Sequence, residues 1–228
     1  AHSMPQLVVM AGGLGTRLGG MTENVPKSLI EVNGKSILSH ILDWAKRQGC
    51  MHALVLTGHH GEQFDGMTHP GMGLTFHRED EPLGTGGALW NARELLEERF
   101  ILVWGDDLHP IDYQPLMSQH STQNAPLTMT VTETHSSSNL EHDGNVLLAY
   151  DKRTKDASKL NGYEAGTSVI EKSTLLKHGK DGKWSWEETA YPALAGQAAV
   201  HVDNTKFWDM GTPEGLASLE KFLNETTL

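Results

Sequence analysis

Runs of consecutive apolar residues mark three segments in the first half of the chain, at residues 7–11, 53–57 and 100–104. A strand that is apolar on successive positions buries both of its faces, which is typical of interior strands in a parallel sheet. A strand with one solvated face would instead alternate apolar and polar residues. The pattern therefore predicts three interior strands.

Two segments with helical periodicity lie between these strands. Residues 37–48 follow the capping residue Ser36 and end at Gly49, a residue type that favours helix termination. Residues 88–99 carry an apolar stripe made of Leu89, Ala92, Leu95 and Leu96. Because strand and helix alternate, the pattern predicts a doubly wound, mostly parallel sheet in an α/β fold.

The remaining segments predict a mixed second half of the sheet and one terminal helix. Residues 126–133, 145–150 and 163–170 read as strands with more polar interruptions. Three residues predict the start of the last helix: Thr212 as cap, Pro213 at the first helical position and Glu214 in the first turn. No repeat or linker interrupts the chain, so we expect one domain over residues 5–228. Residues 1–4, Ala-His-Ser-Met, resemble the remnant of an expression tag.

Charge and cysteine content argue against a nucleic-acid-binding, membrane or disulfide-bonded protein. The chain has 228 residues, a formal net charge of -11 and a single cysteine, Cys50. An acidic chain without clustered Lys and Arg is a poor partner for nucleic acid or an anionic membrane. No apolar run approaches the ~18 residues of a membrane span, and one cysteine excludes an internal disulfide. These features predict a cytoplasmic protein that binds small molecules.

The stretch VVMAGGLGTRLGGMTENVPKSL, residues 8–29, places a glycine-rich loop directly after the first predicted strand. It lacks the dinucleotide-binding fingerprint because Leu18 stands where the third glycine belongs, and the chain has no P-loop motif. Glycine backbones with free N–H groups can still cradle phosphate oxygens or a base edge, with Arg17 and Lys27 supplying positive charge. The alternative is a flexible turn with a solvated arginine.

Four ordered motifs carry a resemblance to a known family. They are AGGLGTRLGGMTENVPKSLIEVNGKSIL from residue 11, EPLGTGGAL at 81–89, VWGDD at 103–107 and FWDMGTPEGL at 207–216. Together they resemble the sugar-1-phosphate nucleotidyltransferases over nearly the whole chain. One departure is Gly19-Gly20, where many members of that family carry a proline-containing turn. The resemblance implies a Rossmann-like nucleotidyltransferase fold that joins an NTP to a sugar 1-phosphate and releases pyrophosphate.

The chemistry implied by this resemblance needs charge neutralisation more than a general base, because the attacking phosphate oxygen is already an anion. By resemblance, Asp106 and Asp209 are the Mg²⁺ ligands, and Asp107 either lies near the sugar or is simply solvated. Mg²⁺ characteristically takes one or two protein carboxylates together with phosphate oxygens and water. The alternative for Asp106 is a turn or capping aspartate, and for Asp209 a helix-capping residue, although Thr212 already fills that place.

The resemblance also assigns three cationic side chains. Arg17 would bind the β- and γ-phosphates, and Lys27 would bridge the α-phosphate and the incoming sugar phosphate. Lys152 resembles the lysine of a Glu-Lys pair near the sugar phosphate, with Asp151 replacing the usual glutamate. Its alternative is an exposed lysine in a charged loop.

Further positions are assigned to the nucleotide and the sugar in the same way. The expected nucleotide-binding residues are Ala11, Gly12, Gly13, Gly15, Thr16, Gly84, Thr85, Gly86 and Gly87. Glu164 and Gly166 are expected at the sugar, in a Glu-Ala-Gly segment where relatives often show Asn-Ala-Gly. A carboxylate there accepts hydrogen bonds only, unlike an amide. The 13 histidines lack metal-site spacing and are expected to be ordinary surface and loop residues.

Two other functions remain open from the sequence. One is a cytidylyltransferase acting on a small alkyl phosphate or phosphonate such as phosphocholine, with Tyr163, Trp184 and Trp186 as candidates for an aromatic cage. The other is a non-catalytic sugar-nucleotide sensor, which is disfavoured because Asp106, Asp209, Arg17 and Lys27 are all present. Among sugar enzymes, the short form with EPLGTGGA resembles the D-glycero-D-manno-heptose 1-phosphate guanylyltransferases. The base is left open, and a homodimer is compatible with the sequence.

Overall fold

The computed structural model describes residues 4–12, 24–151, 158–210 and 212–225. Its strands, in chain order, are β1 (Gln6–Met10), β2 (Glu31–Val32), β3 (Lys35–Ser36), β4 (His52–Thr57), β5 (Gly73–Arg78), β6 (Arg99–Trp104), β7 (Asp107–Leu108), β8 (Leu127–Thr132), β9 (Leu140–His142), β10 (Leu147–Tyr150), β11 (Tyr163–Glu171), β12 (Ala199–Val202) and β13 (Trp208–Asp209). Its α-helices are α1 (Ile37–Arg47), α2 (Gly84–Asn91), α3 (Tyr113–Gln123), α4 (Lys172–His178), α5 (Trp186–Ala193) and α6 (Pro213–Glu225).

One seven-stranded sheet contains the strands in the order β12-β8-β11-β6-β1-β4-β5. β1 pairs with β4, β4 with β5, and β12 with β8, all in parallel. β11 is antiparallel to both β6 and β8. The mixed, mostly parallel sheet predicted from the apolar runs is therefore confirmed.

The described residues form two compact units. The N-terminal unit lies within residues 3–82, 103–110 and 206–228, and the central unit within 83–102 and 111–205. The N-terminal unit contains β1, β4 and β5. The apolar residues of β1 and β4 are buried except for Met10, as expected for interior strands, whereas β5 is an edge strand whose Leu74 and Phe76 are only partly buried. Helix α1 begins where predicted, since the Ser36 hydroxyl accepts a hydrogen bond from Ser39 N at 3.0 Å.

The central unit contains β8, β11, β12 and helices α2 to α5. Every residue of β8 is buried, because it lies between β12 and β11 in the sheet. The register of β11 on β8 shifts between Glu164 and Ser168, and Gly166 has a φ of +105° in this irregular part of the strand. Glycine is the residue type that adopts this backbone conformation without strain.

The helix predicted over residues 88–99 was placed wrongly. Helix α2 starts at Gly84, includes the glycine segment and ends at Asn91; a short 3₁₀ turn follows at Arg93–Leu95. Arg99, the predicted helix end, is instead the first residue of β6. Tertiary contacts explain the difference, because the glycine segment packs closely on residues 182–184 and so forms a helix despite its low intrinsic propensity.

Two further expectations need correction. Strand β10 was expected in the central sheet, but it pairs with β9 in a separate two-stranded sheet. The histidines were expected at the surface and in loops, yet four of those that the structure describes are buried: His69, His109, His120 and His142. His120, for example, contacts Thr128 Oγ1 at 2.7 Å and Glu171 Oε2 at 3.0 Å. Polar partners of this kind allow a histidine to occupy the protein interior.

Cys50 is a buried free cysteine. Burial of Cys50 raises the pKa of its thiol to about 12, so it is not a nucleophile at neutral pH. Among the described residues, no helix combines the length and the apolar character that crossing a bilayer requires.

Candidate active site at the strand ends of the N-terminal unit

Gly105 brings the first candidate metal ligand to the carboxyl end of the sheet. Its N–H donates to the Met10 carbonyl at 2.8 Å, directly after β6 ends at Trp104. A Cβ on Gly105 would lie 2.8 Å from that same oxygen, so a larger residue would not fit. The close approach of the two backbones places Asp106 beside the end of β1, where ligands bind in open α/β sheets.

A short antiparallel pair of strands brings the other carboxylates to the same place. β13 pairs with β7, with Asp209 opposite Asp107 and Trp208 opposite Leu108. The Met210 N–H then donates to the Asp106 carbonyl at 2.8 Å. Residues about 100 positions apart in the sequence are thus held in register by backbone pairing.

Asp106, Asp107 and Asp209 form what we term the acid cluster. Each offers one carboxylate oxygen, and these oxygens all lie within 4.8 Å of one another. All three residues are half-buried. Like charges at this separation repel unless cations neutralise them.

Lys27 supplies positive charge to the acid cluster. Its Nζ lies 3.1 Å from Asp106 Oδ2, and the Lys27 side chain is only 15% exposed. A 3₁₀ turn at Lys27–Leu29 sets the backbone, with Leu29 N donating to the Pro26 carbonyl at 3.0 Å. Pro26 therefore restricts the backbone just before the turn, and Lys27 within the turn contacts Asp106.

Helix α6 supports the strand that carries Asp209. The Trp208 ring stacks on Phe222 of α6, with ring centroids 4.0 Å apart. The predicted Thr212 cap is confirmed, because its Oγ1 accepts from Gly215 N at 3.1 Å. A Cβ on Gly215 would collide with the Asp209 carbonyl oxygen at 1.6 Å. The tryptophan and glycine of the FWDMGTPEGL motif thus hold Asp209 in position.

The donor set of the acid cluster fits a hard divalent cation. Three carboxylates and one ammonium leave an excess of two negative charges, and carboxylate oxygens are the ligands preferred by Mg²⁺ and similar ions. A soft metal would need thiolate or imidazole ligands, which the acid cluster lacks.

The start of the glycine-rich loop lies in the same unit. Ala11 N donates to the Leu56 carbonyl at 2.8 Å, which extends the pairing of β1 with β4 by one residue. Gly12 follows, with its backbone close to the side chain of Glu79. Gly13, Gly15, Thr16, Arg17 and Lys152 lie outside the described residues, and their assignments stay predictions.

The second predicted glycine segment lies in the central unit and has extensive packing contacts. Gly86 and Gly87 donate their N–H groups to the Trp184 carbonyl at 2.9 and 3.3 Å. Thr85 Oγ1 accepts from Trp186 N at 2.9 Å. A Cβ on Gly86 would lie 2.1 Å from the Trp184 ring. The glycines are needed for this packing, and the nucleotide-binding role of Gly84, Thr85, Gly86 and Gly87 stays a prediction.

Glu164, the predicted sugar-site acid, occupies an unusual electrostatic environment in the central unit. Its Oε1 accepts from Gly166 N at 3.1 Å and from the Tyr191 hydroxyl at 3.4 Å. Burial, followed by repulsion from Glu187, raises the pKa of the Glu164 carboxyl to about 8. At neutral pH this carboxyl is therefore mostly protonated and can donate one hydrogen bond and accept others. In that form it offers both a donor and an acceptor, as the amide suggested by the family resemblance would.

The chain is similar to known proteins in sequence. A profile described as nucleotidyl transferase matches residues 6–142, more than half of the 228-residue chain. The chain belongs to the nucleotidyl transferase family. Within that family, it is 25% identical over 230 residues to a D-glycero-alpha-D-manno-heptose 1-phosphate guanylyltransferase from Aneurinibacillus thermoaerophilus, covering 96% of this chain and 98% of that one.

Two other relatives are matched over different shares of their own length. A D-glycero-alpha-D-manno-heptose 1-phosphate guanylyltransferase from Campylobacter jejuni is 26% identical, covering 92% of this chain and 96% of its own. The mannose-1-phosphate guanylyltransferase catalytic subunit beta from Drosophila pseudoobscura pseudoobscura is 29% identical, but only 59% of its length is covered. This nucleotidyl transferase thus matches the first relative nearly end to end and the second over part of its length.

Solved structures share the fold of this nucleotidyl transferase. HddC from Yersinia pseudotuberculosis complexed with GMP-PN superimposes with a TM-score of 0.81 at 24% identity, covering 96% of this chain and 100% of that chain. A UDP-glucose pyrophosphorylase complexed with UDP-glucose gives a TM-score of 0.82 at 15% identity, covering 97% and 99%. The Rossmann-like nucleotidyltransferase fold expected from the motifs is confirmed.

Sequence reasoning missed two features of this nucleotidyl transferase. It separated Asp107 from Asp106 and Asp209, whereas the structure puts all three carboxylates together. It also passed over Glu79, which the structure places against Gly12 and Gly58. An available signal was the position of Glu79 directly after an extended segment, since side chains at strand ends often reach the ligand site.

Proposed function

We propose that this protein joins a sugar 1-phosphate to a nucleoside triphosphate and releases pyrophosphate, forming an NDP-sugar. The observation that carries the proposal is the acid cluster beside Lys27, built at the carboxyl end of β1 and β6 in a chain of the nucleotidyl transferase family. With a divalent cation bound, such a site would neutralise crowded phosphates, which is the main requirement of phosphoryl-group chemistry.

Asp106 and Asp209 hold Mg²⁺ in this proposal. The bound ion would offset negative charge on the phosphate oxygens. Asp107, within 4.8 Å of both acids, would offer a third oxygen to the ion. Its predicted position near the sugar is compatible with this role, because the sugar phosphate must also approach the ion.

The cationic residues bind the phosphates in the proposed reaction. Lys27 contacts the α-phosphate and the sugar phosphate, exchanging its bond to Asp106 for bonds to phosphate oxygens. By family resemblance, Arg17 binds the β- and γ-phosphates, and Lys152 binds the sugar phosphate. The attacking sugar phosphate oxygen displaces pyrophosphate at the α-phosphorus, so one P–O bond forms as another breaks.

The remaining site assignments complete the proposal. The glycine-rich loop with Ala11, Gly12, Gly13, Gly15 and Thr16, and the segment Gly84 to Gly87, bind the nucleotide. Glu164 and Gly166 line the sugar. Two of the relatives that match nearly end to end are heptose 1-phosphate guanylyltransferases, which supports a heptose 1-phosphate as the sugar substrate, whereas two others of similar coverage act on glucose 1-phosphate by their names.

A substrate matrix tests the proposal. Purified protein is incubated with Mg²⁺, each of GTP, UTP, dTTP, CTP and ATP, and either a heptose, mannose or glucose 1-phosphate or phosphocholine, with pyrophosphate release as the readout. We expect turnover with a sugar 1-phosphate that is abolished in Asp106→Asn and retained in the control Glu220→Gln, an exposed position on α6. Turnover with phosphocholine alone would assign the cytidylyltransferase class instead. Tight binding of an NDP-sugar without any turnover would assign a sensor.

A further inference from the structure

Two segments of the central unit lie side by side at its surface. One contains the 3₁₀ turn Arg93–Leu95, and the other contains helix α4. At one end of the pair, Lys172 N donates to the Glu98 carbonyl at 2.8 Å. At the other end, Trp90 Nε1 donates to Asp181 Oδ1 at 3.0 Å. These two contacts fix the segments in opposite directions, and we term the surface between them the α4 face.

Two exposed leucines lie on the α4 face. Leu95 belongs to the 3₁₀ turn and is 43% exposed, and Leu176 belongs to α4 and is 48% exposed. Of the residues that the structure describes, two other large apolar side chains, Met51 and Leu148, are exposed to a similar degree. Single exposed leucines are common on protein surfaces, but two on one face offer apolar area that a partner can bury.

Charges of opposite sign flank the two leucines. The segment with the 3₁₀ turn carries the exposed acids Glu94, Glu97 and Glu98, and the segment with α4 carries the exposed cations Lys177 and Lys180. The whole chain has a formal net charge of -11, so two copies repel one another at most of their surfaces. Contact between copies is favoured where acids of one can face cations of the other, and the α4 face carries both signs.

We propose that the α4 face is an interface between two copies of this chain. A twofold axis that runs between the two segments, parallel to them, places the acidic segment of each copy opposite the basic segment of the other. The leucines of both copies then meet at the centre. Such a contact is self-complementary and closes at two copies. The α4 face belongs to the central unit and the acid cluster to the N-terminal unit, so dimer formation is independent of the proposed reaction.

Sedimentation velocity of the full chain, measured over a series of protein concentrations, tests this interface. We expect a monomer–dimer equilibrium whose Kd rises by ~10-fold or more in Leu176→Lys, because charges then replace apolar side chains at the centre of the contact. Leu148→Lys is the matched control. Leu148 is 44% exposed in the same unit but lies on β10, outside the α4 face, so this variant should keep the wild-type Kd.

An exchange of charges tests the twofold arrangement. Lys177→Glu and Glu94→Lys should each raise the Kd of the dimer by ~3-fold or more, because every change acts twice at a twofold contact. The double variant should regain a Kd close to that of the wild type, since glutamate and lysine again face each other between the copies.

Three results would overturn the proposal. A wild-type chain that stays monomeric over the whole concentration series has no such interface. A dimer with the same Kd in Leu176→Lys and Leu148→Lys uses another surface, and a double charge variant without recovery contradicts the twofold arrangement. If Leu176→Lys melts at a lower temperature than the wild type, hydrogen exchange of the wild-type chain decides, because protection at residues 90–98 and 172–181 must increase with protein concentration.

Discussion

The Nζ of Lys27 lies 3.1 Å from the Oδ2 of Asp106, joining two motifs that are 79 residues apart in the sequence. The pair is partly buried, so solvent screens it less than a surface ion pair. It gives the acid cluster a cation that is already in place before any phosphate binds. In the proposed reaction, phosphate binding would require only that Lys27 exchange its bond to Asp106 for bonds to phosphate oxygens.

Lys27→Gln should lower turnover by roughly 100-fold or more, because removing a cation from a phosphoryl-transfer site commonly costs at least that much. The protein should remain folded, since glutamine keeps the aliphatic part of the side chain. Lys35→Gln is a suitable control, because Lys35 pairs with Asp43 at 2.9 Å on an exposed surface. Both variants are compared by pyrophosphate release and melting temperature. Equal activity in the two variants would remove Lys27 from the catalytic site.

Asp106→Asn and Asp209→Asn should each weaken metal binding while leaving the metal-free fold largely unchanged. Mg²⁺ should raise the melting temperature of the wild-type protein, because a ligand that binds only the folded state stabilises it. This rise should shrink in both variants, and turnover should fall by ~10-fold or more. Differential scanning calorimetry with and without Mg²⁺ measures the shift, with Glu220→Gln as control. A full Mg²⁺ shift in both variants would exclude the acid cluster as the metal site.

Glu164→Gln should raise stability at high pH but not at low pH. The pKa of Glu164 is raised in the folded state from 4.5 to about 8, so the folded protein keeps a proton that the unfolded chain loses. Its contribution to stability is fully present below pH 4.5 and is lost as pH rises towards 8. Glutamine does not titrate. The melting temperature of the variant relative to wild type should therefore increase between pH 5 and pH 8.5.

The control for this prediction is Glu94→Gln, at an exposed position on the surface of the same unit. Its difference from wild type should stay nearly constant over the same pH range. A constant difference for Glu164→Gln as well would show that the Glu164 carboxyl is not desolvated in the folded protein.

Gly86→Ala should destabilise the protein by about 1–3 kcal/mol, the usual cost of forcing an extra methyl group into a packed interior. Its Cβ would lie 2.1 Å from the Trp184 ring, so the ring or the helix must move. Gly182→Ala is the control. Its Cβ would meet no neighbouring atom, but Gly182 has a φ of +95°, so this variant measures the backbone cost alone, ~1 kcal/mol. Urea unfolding of both variants measures the difference. A smaller loss for Gly86→Ala than for Gly182→Ala would contradict the packing role.

Several strands and helix starts were predicted correctly, because they depend on residues that are close in the sequence. The apolar runs predicted β1, β4 and β6 to within a residue at each end. Ser36 and Thr212 begin helices through their own side-chain hydrogen bonds. The beginning of α2 could not be derived in this way. A glycine-rich segment has little helical propensity, and only its contacts with the Trp184 segment make it a helix.

The sequence by itself determined the family, the glycine-rich loop and the identity of the acids, since motif residues and their order are properties of the chain. Only the tertiary structure decided which of these side chains meet. Asp107 joins Asp106 and Asp209 because β7 pairs with β13, and Glu79 meets Gly12 because three parallel strands end together. Such contacts depend on backbone pairing between distant segments, and pairing register is set by the packing of the whole sheet.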